Sequence, residues 1–141
     1  MVKSSPLIII SIIVIADRLA KSFAEHYNSI MLTNSIGLQL AHNTGALWSL
    51  GTGFNFIFIA ISIIVLGFFI KYWKTLTATQ WTSIMASLIL AGLIGNLWDR
   101  LATGYVIDFI KIGWWPNFNI ADSSLVTGVI GLIIKHDKIK L

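Results

Sequence analysis

The sequence contains no cysteine, which excludes disulfides, thiol nucleophiles and thiolate metal sites. It is also poor in charge: 11% of its 141 residues are Asp, Glu, Lys or Arg, against roughly 25% in soluble domains. Ten basic and six acidic side chains cannot cover the surface of an ordinary soluble globule of this size. The same shortage excludes disorder, a coiled coil and collagen. What is abundant is apolar, 56% of the chain, in uncharged stretches long enough to require lipid. A net charge of +4 could point to nucleic acid. The basic residues are scattered between apolar spans, however, which fits membrane topology better than a phosphate-binding face. The chain reads as one integral membrane domain over residues 1–141.

A span needs about 20 mostly apolar residues. Residues 54–70 and 81–98 are uncharged throughout and flanked by Tyr72, Trp73, Trp81 and Trp98, aromatics of the kind that sit at headgroup level. The KYWKTLTATQ segment between them is too short to cross back, so they form an antiparallel hairpin. Two further spans, over residues 7–24 and 120–134, carry polar groups at one end: Asp17, Arg18 and Lys21 in one, Asp122 in the other. The expectation is an all-α polytopic protein with four transmembrane helices. Lys3, the apolar run and Ser22-Phe23-Ala24 also imitate a cleavable signal peptide, but three charges crowd its last turns.

With four spans, Lys3, Lys71, Lys74, Lys135, Lys138 and Lys140 share one side, which the positive-inside rule makes cytoplasmic. Asp17, Glu25, Asp99, Asp108 and Asp122 then gather toward the outer face. The outer segments are residues 25–53 and 99–119. In the first, residues 35–41 alternate between Asn34 and Asn43-Thr44-Gly45, suggesting short β-strands on the membrane surface. The second, with Gly104, Gly113 and Trp114-Trp115-Pro116, reads as turns with an aromatic anchor. No internal repeat supports an inverted-repeat transporter.

Ionisable groups at membrane depth cost about 2.5–3.5 kcal/mol each, so they default to functional candidates. Asp108 and Asp122 could meet if the loop between them folds back onto the last helix. Two carboxyls sharing a site keep one proton between them, so one can deprotonate water while the other polarises a carbonyl. A structural alternative stands beside this: Asn119 and Asp122 also make a good helix start, and Asp108 could be a solvated loop residue. Asp99 and Arg100 could orient a substrate or merely neutralise each other at a helix end. Asp17 and Lys21, at i and i+4, read as a structural pair on one helical face. Asn43 could donate its amide to a ligand. His26 and His42 read as interfacial rather than zinc ligands, so neither metal nor cofactor is expected.

In this order the pieces resemble the lipoprotein signal peptidase (signal peptidase II) family, bacterial membrane aspartic peptidases. The similar residues are Asp17 with Lys21, Asn43-Thr44-Gly45-Ala46, Gly95-Asn96 with Asp99-Arg100, Gly104-Tyr105-Val106-Ile107-Asp108-Phe109 and Phe118-Asn119-Ile120-Ala121-Asp122. The resemblance implies a four-helix bundle in the bacterial cytoplasmic (inner) membrane with a small extracytoplasmic β-element, both termini cytoplasmic and the site facing outward. It implies an aspartic endopeptidase that cleaves prolipoproteins just before a diacylglyceryl-modified cysteine, with Asp108 and Asp122 as the catalytic dyad. Asn43, Gly45, Asn96, Asp99, Arg100, Asn119 and Ala121 are then expected to contact substrate or support the dyad. Globomycin-type inhibitors and membrane lipids are the further ligands implied. The chain departs from the family at Arg18 and Ala20, where Gln and Thr are common, and at Leu47-Trp48, where Ala-Phe is usual. Two rival functions explain the residues less well: a proton-coupled transporter would want acids near the midplane, and an assembly factor anchored by Trp114 and Trp115 would leave the aspartates without a role.

Overall fold

The computed structural model describes residues 5–45 and 53–135. Lys3, Ala46, Leu47, Trp48, Lys138 and Lys140 lie outside the described residues. The elements run α1 (Pro6–Tyr27), β1 (Ser29–Met31), β2 (Ile36–Asn43), α2 (Asn55–Lys71), α3 (Trp73–Leu76), α4 (Gln80–Ala102), β3 (Val106–Ile112) and α5 (Ile120–Ile134). The chain is mostly helical, with one antiparallel sheet in the order β1-β2-β3.

Local chemistry sets the helix ends. Pro6 opens α1, where its missing N–H costs nothing. Asn28 closes it at a positive φ of 59°, its N–H donating to the Ala24 carbonyl. Thr79 caps α4 and Asn119 caps α5, each in a reciprocal capping box with the residue three positions on. Central helix α4 packs most extensively on α5 and α1. Close approach to α5 requires glycine: a Cβ on Gly128 would lie 2.6 Å from Ile89 and 2.7 Å from the Met85 carbonyl. Away from the sheet, Phe69, Leu76, Ala86, Ile89 and Leu90 form an apolar core. At that same end Trp81 donates to the Gly131 carbonyl at 3.0 Å and lies under Lys135.

Two expectations need correction. Residues 99–119 are not turns alone, because Val106–Ile112 forms β3 and pairs with β2, Asp108 opposite Ala41 and Val106 opposite Asn43. Residues 106–109 are all buried, so the strand lacks the in–out alternation that would have announced it. Asp108 is accordingly a strand residue, 2% exposed, not a solvated loop carboxylate. The mostly helical character is borne out, but four long apolar spans are not: α1 has 22 residues yet carries Asp17, Arg18 and Lys21. Among the described residues α4 alone is long and apolar enough to cross a bilayer, while α2 and α5 are apolar but have 17 and 15 residues.

Candidate active site

Strand β3 and the first turn of α5 bring Asp108 and Asp122 to one cavity, of about 210 Å³, which Asn43, Asn96 and Arg100 also line. The two aspartates are held by asparagine amides whose orientations the surroundings dictate. Asn119 accepts the Asp122 N–H at 2.7 Å, so its NH2 must point the other way, and it donates to Asp108 Oδ1 at 2.8 Å. Asn43 accepts the Gly45 N–H at 3.0 Å and donates to Asp108 Oδ2 at 3.0 Å. Asn96 accepts from Asn119 at 3.2 Å and donates to Asp122 Oδ1 at 2.7 Å. Asp122 Oδ2 accepts the Asn119 N–H at 3.2 Å, closing the capping box. The helix-cap and paired-carboxyl readings of Asn119 and Asp122 are thus compatible: the cap delivers Asp122 to the cavity and turns the Asn119 amide toward Asp108.

Burial pushes the Asp108 carboxyl up to about 7, and the nearby charge of Asp122 pushes the same way. The Asn43 and Asn119 amides and the charge of Lys21 oppose that rise without cancelling it. A proton on Asp108 is therefore available near neutral pH. Arg100 donates to the Gly45 carbonyl at 3.1 Å and places its guanidinium 5.2 Å from the Phe58 ring centre. It anchors the Asn43-Thr44-Gly45 turn beside the two aspartates, a contact between residues 55 positions apart.

Asp17 and Lys21 do pair, at 2.6 Å, but not in isolation. Lys21 also reaches Asp99 at 2.7 Å, and Arg18 pairs with the other Asp99 oxygen. Asp99 is therefore bound to Lys21 and Arg18 rather than being simply neutralised by Arg100. Ala121 is fully buried and its N–H donates to Asp17 at 2.9 Å. Arg18, expected at this end of the first span but with no role beyond a departure from a motif, pairs with Asp99. Asn55, which donates to the Arg100 carbonyl at 3.2 Å, carried no sequence signal. His42 stacks on Tyr105 at 4.3 Å and His26 meets Tyr27 edge-on. Among the described residues no three His, Asp or Glu side chains gather as metal ligands.

Residues 9–137 match the family model described as Signal peptidase (SPase) II. The chain is 36% identical over 129 residues to the lipoprotein signal peptidase of Syntrophomonas wolfei, covering 87% of this chain and 86% of that one. It is 30% identical over 132 residues to the lipoprotein signal peptidase of Halothermothrix orenii, covering 90% and 91%. A bacterial membrane enzyme solved by the in meso method at 2.3 Å resolution superposes with a TM-score of 0.85 at 33% identity, covering 94% of this chain and 87% of that one.

Proposed function

Because the chain belongs to the signal peptidase II family, we propose that Asp108 and Asp122 form the catalytic dyad of an aspartic peptidase that removes signal peptides from prolipoproteins. The chain is a membrane peptidase; the reaction type, the site and the topology are our reading. The observation that carries it is the pair of carboxyls held at one cavity by oriented amides, and the upward push of burial on Asp108 agrees with it.

The cavity is several times the ~30 Å³ share of one liquid water, leaving room for a water beside a peptide carbonyl. The ionised carboxyl takes a proton from that water as its oxygen attacks the scissile carbonyl carbon. The protonated carboxyl donates to the carbonyl oxygen, producing a neutral gem-diol. The carboxyl that took the water proton gives it to the amide nitrogen, while the other, now ionised, takes a gem-diol hydroxyl proton. The C–N bond breaks, and an amine and an acid are released. No covalent intermediate forms, and the dyad ends sharing one proton again. Asn43, Asn96 and Asn119 hold the carboxyls, Asp99, Ala121 and Gly45 hold the backbone around them, and Arg100 steadies the turn at Gly45.

The bond cleaved is the one before a diacylglyceryl-modified cysteine. Its acyl chains stay in the bilayer, so the dyad must work at the membrane's edge. A helical rise of about 1.5 Å per residue places Asp122 roughly 20 Å from Lys135 along α5. That is about two-thirds of the way across the ~30 Å hydrocarbon layer when Lys135 marks one boundary, so Asp122 lies in its outer third. Four spans are supported by the apolar faces turned outward: Leu7, Ile12 and Ile15 on α1, Ile63, Ile64 and Ile70 on α2, and Ile130 and Ile133 on α5 are all exposed. The whole chain forms one integral unit, with termini in the cytoplasm and the dyad toward the outer face of the bacterial inner membrane. Bilayer lipids and globomycin-type inhibitors complete the inferred ligands.

The test is cleavage of a diacylglyceryl-modified prolipoprotein by reconstituted protein. Asp108→Asn and Asp122→Asn should each lose about 10²–10⁴-fold or more, the range of a general acid or base. Near-native turnover by either folded variant would refute the dyad.

A further inference from the structure

We propose that Lys21 is a positioning residue for this reaction, its buried ammonium tying together the backbone segments that present Asp108 and Asp122 and so setting how the two carboxyls face each other. The proposal rests on the dyad reading above and extends it to residues that neither touch the cavity nor meet a peptide.

The ammonium has three N–H donors and three oxygens around it. Asp17 Oδ2 lies at 2.6 Å, Asp99 Oδ2 at 2.7 Å and Asn96 Oδ1 at 3.5 Å. Each partner leads to the dyad. Asp17 accepts the N–H of Ala121, the residue before Asp122, at 2.9 Å. Asp99 accepts the N–H of Ile107, the residue before Asp108, at 3.2 Å. Asn96 donates directly to Asp122 at 2.7 Å. One charged group on α1 therefore connects to both aspartates through α4, β3 and α5, alongside the direct Asn96–Asp122 and Asn119–Asp108 hydrogen bonds.

Two simpler roles fit less well. Substrate contact is excluded by burial, since Lys21 and Asp17 are 0% exposed and Asp99 is 1% exposed. Mutual neutralisation of Asp17 and Lys21 would need neither Asp99 nor the backbone N–H groups. Buried ion clusters are often no more stabilising than apolar side chains of the same volume. What apolar groups cannot supply is directed acceptors for two particular amide protons. Gly95 makes room for the arrangement: a Cβ there would lie 3.0 Å from Asp17 Oδ2 and 3.0 Å from Ala121 Cβ.

The experiment compares the full-length wild type with Lys21→Met, Asp17→Asn and the triple Asp17→Asn/Lys21→Met/Asp99→Asn. The triple carries no uncompensated buried charge and keeps an oxygen for each backbone N–H. Cleavage of diacylglyceryl-modified prolipoprotein is measured in detergent alongside Tm, with Asp108→Asn and Asp122→Asn as controls. The expected result for the triple is kcat lowered about 10–100-fold, the scale of lost supporting contacts at a site, with KM within twofold and Tm within a few degrees. A kcat within twofold of wild type at retained Tm overturns the proposal, as does a KM rise at unchanged kcat. If Lys21→Met and the triple do not fold, Asp17→Asn decides: lowered kcat at unchanged KM supports the proposal, and wild-type kcat overturns it. Inactive control variants beside a wild-type-like triple would remove this inference alone; active controls would remove the dyad reading itself.

Discussion

Helices α2 and α4 look alike as apolar runs yet occupy different environments. In α2 only Ser62 and Phe69 are buried, and Phe56, Ile63, Ile64 and Ile70 project outward. In α4 the buried face runs the length of the helix, from Thr82, Ser83 and Ser87 through Ala91 and Gly92 to Asn96 and Asp99. The hydroxyls on both helices fold back onto their own backbone, Ser62 to Phe58 and Ser87 to Ser83, so they can face either environment. What separates the two is the small residues that let α5 approach α4 and the amide and carboxylate at its sheet end. Hydropathy reports that a helix avoids water; it does not report whether lipid or protein replaces the water.

The strongest way to break that contrast is a charge on the outward face of α2. Ile64→Lys should cost about 2.5–3.5 kcal/mol of insertion free energy at the centre of a lipid-facing span. Glycosylation acceptors flanking α2 would report insertion; insertion equal to wild type would mean that Ile64 does not face lipid. Next in size is Asn96→Ala on α4. It removes the amide held between Asn119 and Asp122, and turnover should fall about 10–100-fold, in line with the loss of a supporting contact. A rate within twofold would show that Asp122 is oriented by its backbone cap alone.

A smaller effect separates burial from pairing at Asp108. Asp122→Asn removes a neighbouring negative charge, so the Asp108 titration midpoint, followed by carboxyl carbon NMR, should drop below about 7. Burial is the larger cause, so the midpoint should stay above the ordinary value of 3.8. A return to that value would make pairing the dominant cause. The same shift has a sign for stability. The folded protein keeps the Asp108 proton up to about pH 7, whereas the unfolded chain releases it near 4. Asp108 therefore contributes stability below pH 4 that is lost as pH rises to about 7, with no further change above. Asp108→Asn should flatten that part of the Tm-versus-pH curve.

The smallest effect is expected at Arg18. Its side chain is 37% exposed, and a partly solvated pair of this kind contributes about 0–1 kcal/mol. Arg18→Gln should leave turnover within about twofold and Tm nearly unchanged, because Lys21 still holds Asp99. A large loss would make Arg18 a necessary member of the cluster.

Much of the scaffold was legible in advance because its signals are local. The bounds of α5 follow from Asn119 and Asp122 at its start and the apolar run behind them. The ends of α2 and α4 fall within a few residues of the uncharged stretches. Strand β2 covers most of the alternating segment expected at residues 35–41. Strand β3 escaped because Val106 to Phe109 is buried throughout, leaving no period to detect. The links among Lys21, Asp99 and Asn96, or between Asp17 and Ala121, join residues 75 to 104 positions apart and leave no trace in spacing.

The sequence by itself determined the long helices, the Asn119 cap of α5 and the i,i+4 pair of Asp17 and Lys21, though not α3, since each of these depends on neighbours within about one turn. It also determined the chemistry available, carboxyls and amides without thiols. Tertiary structure decided which of those groups meet. Pairing β3 with β2 sets Asp108 beside Asn43, and the approach of α1 and α5 to α4 converts a local ion pair into a junction between distant backbones. The physical reason is desolvation: buried carboxyls and amides must find partners inside the protein, and which partners are within reach is a property of the packed elements rather than of any segment alone.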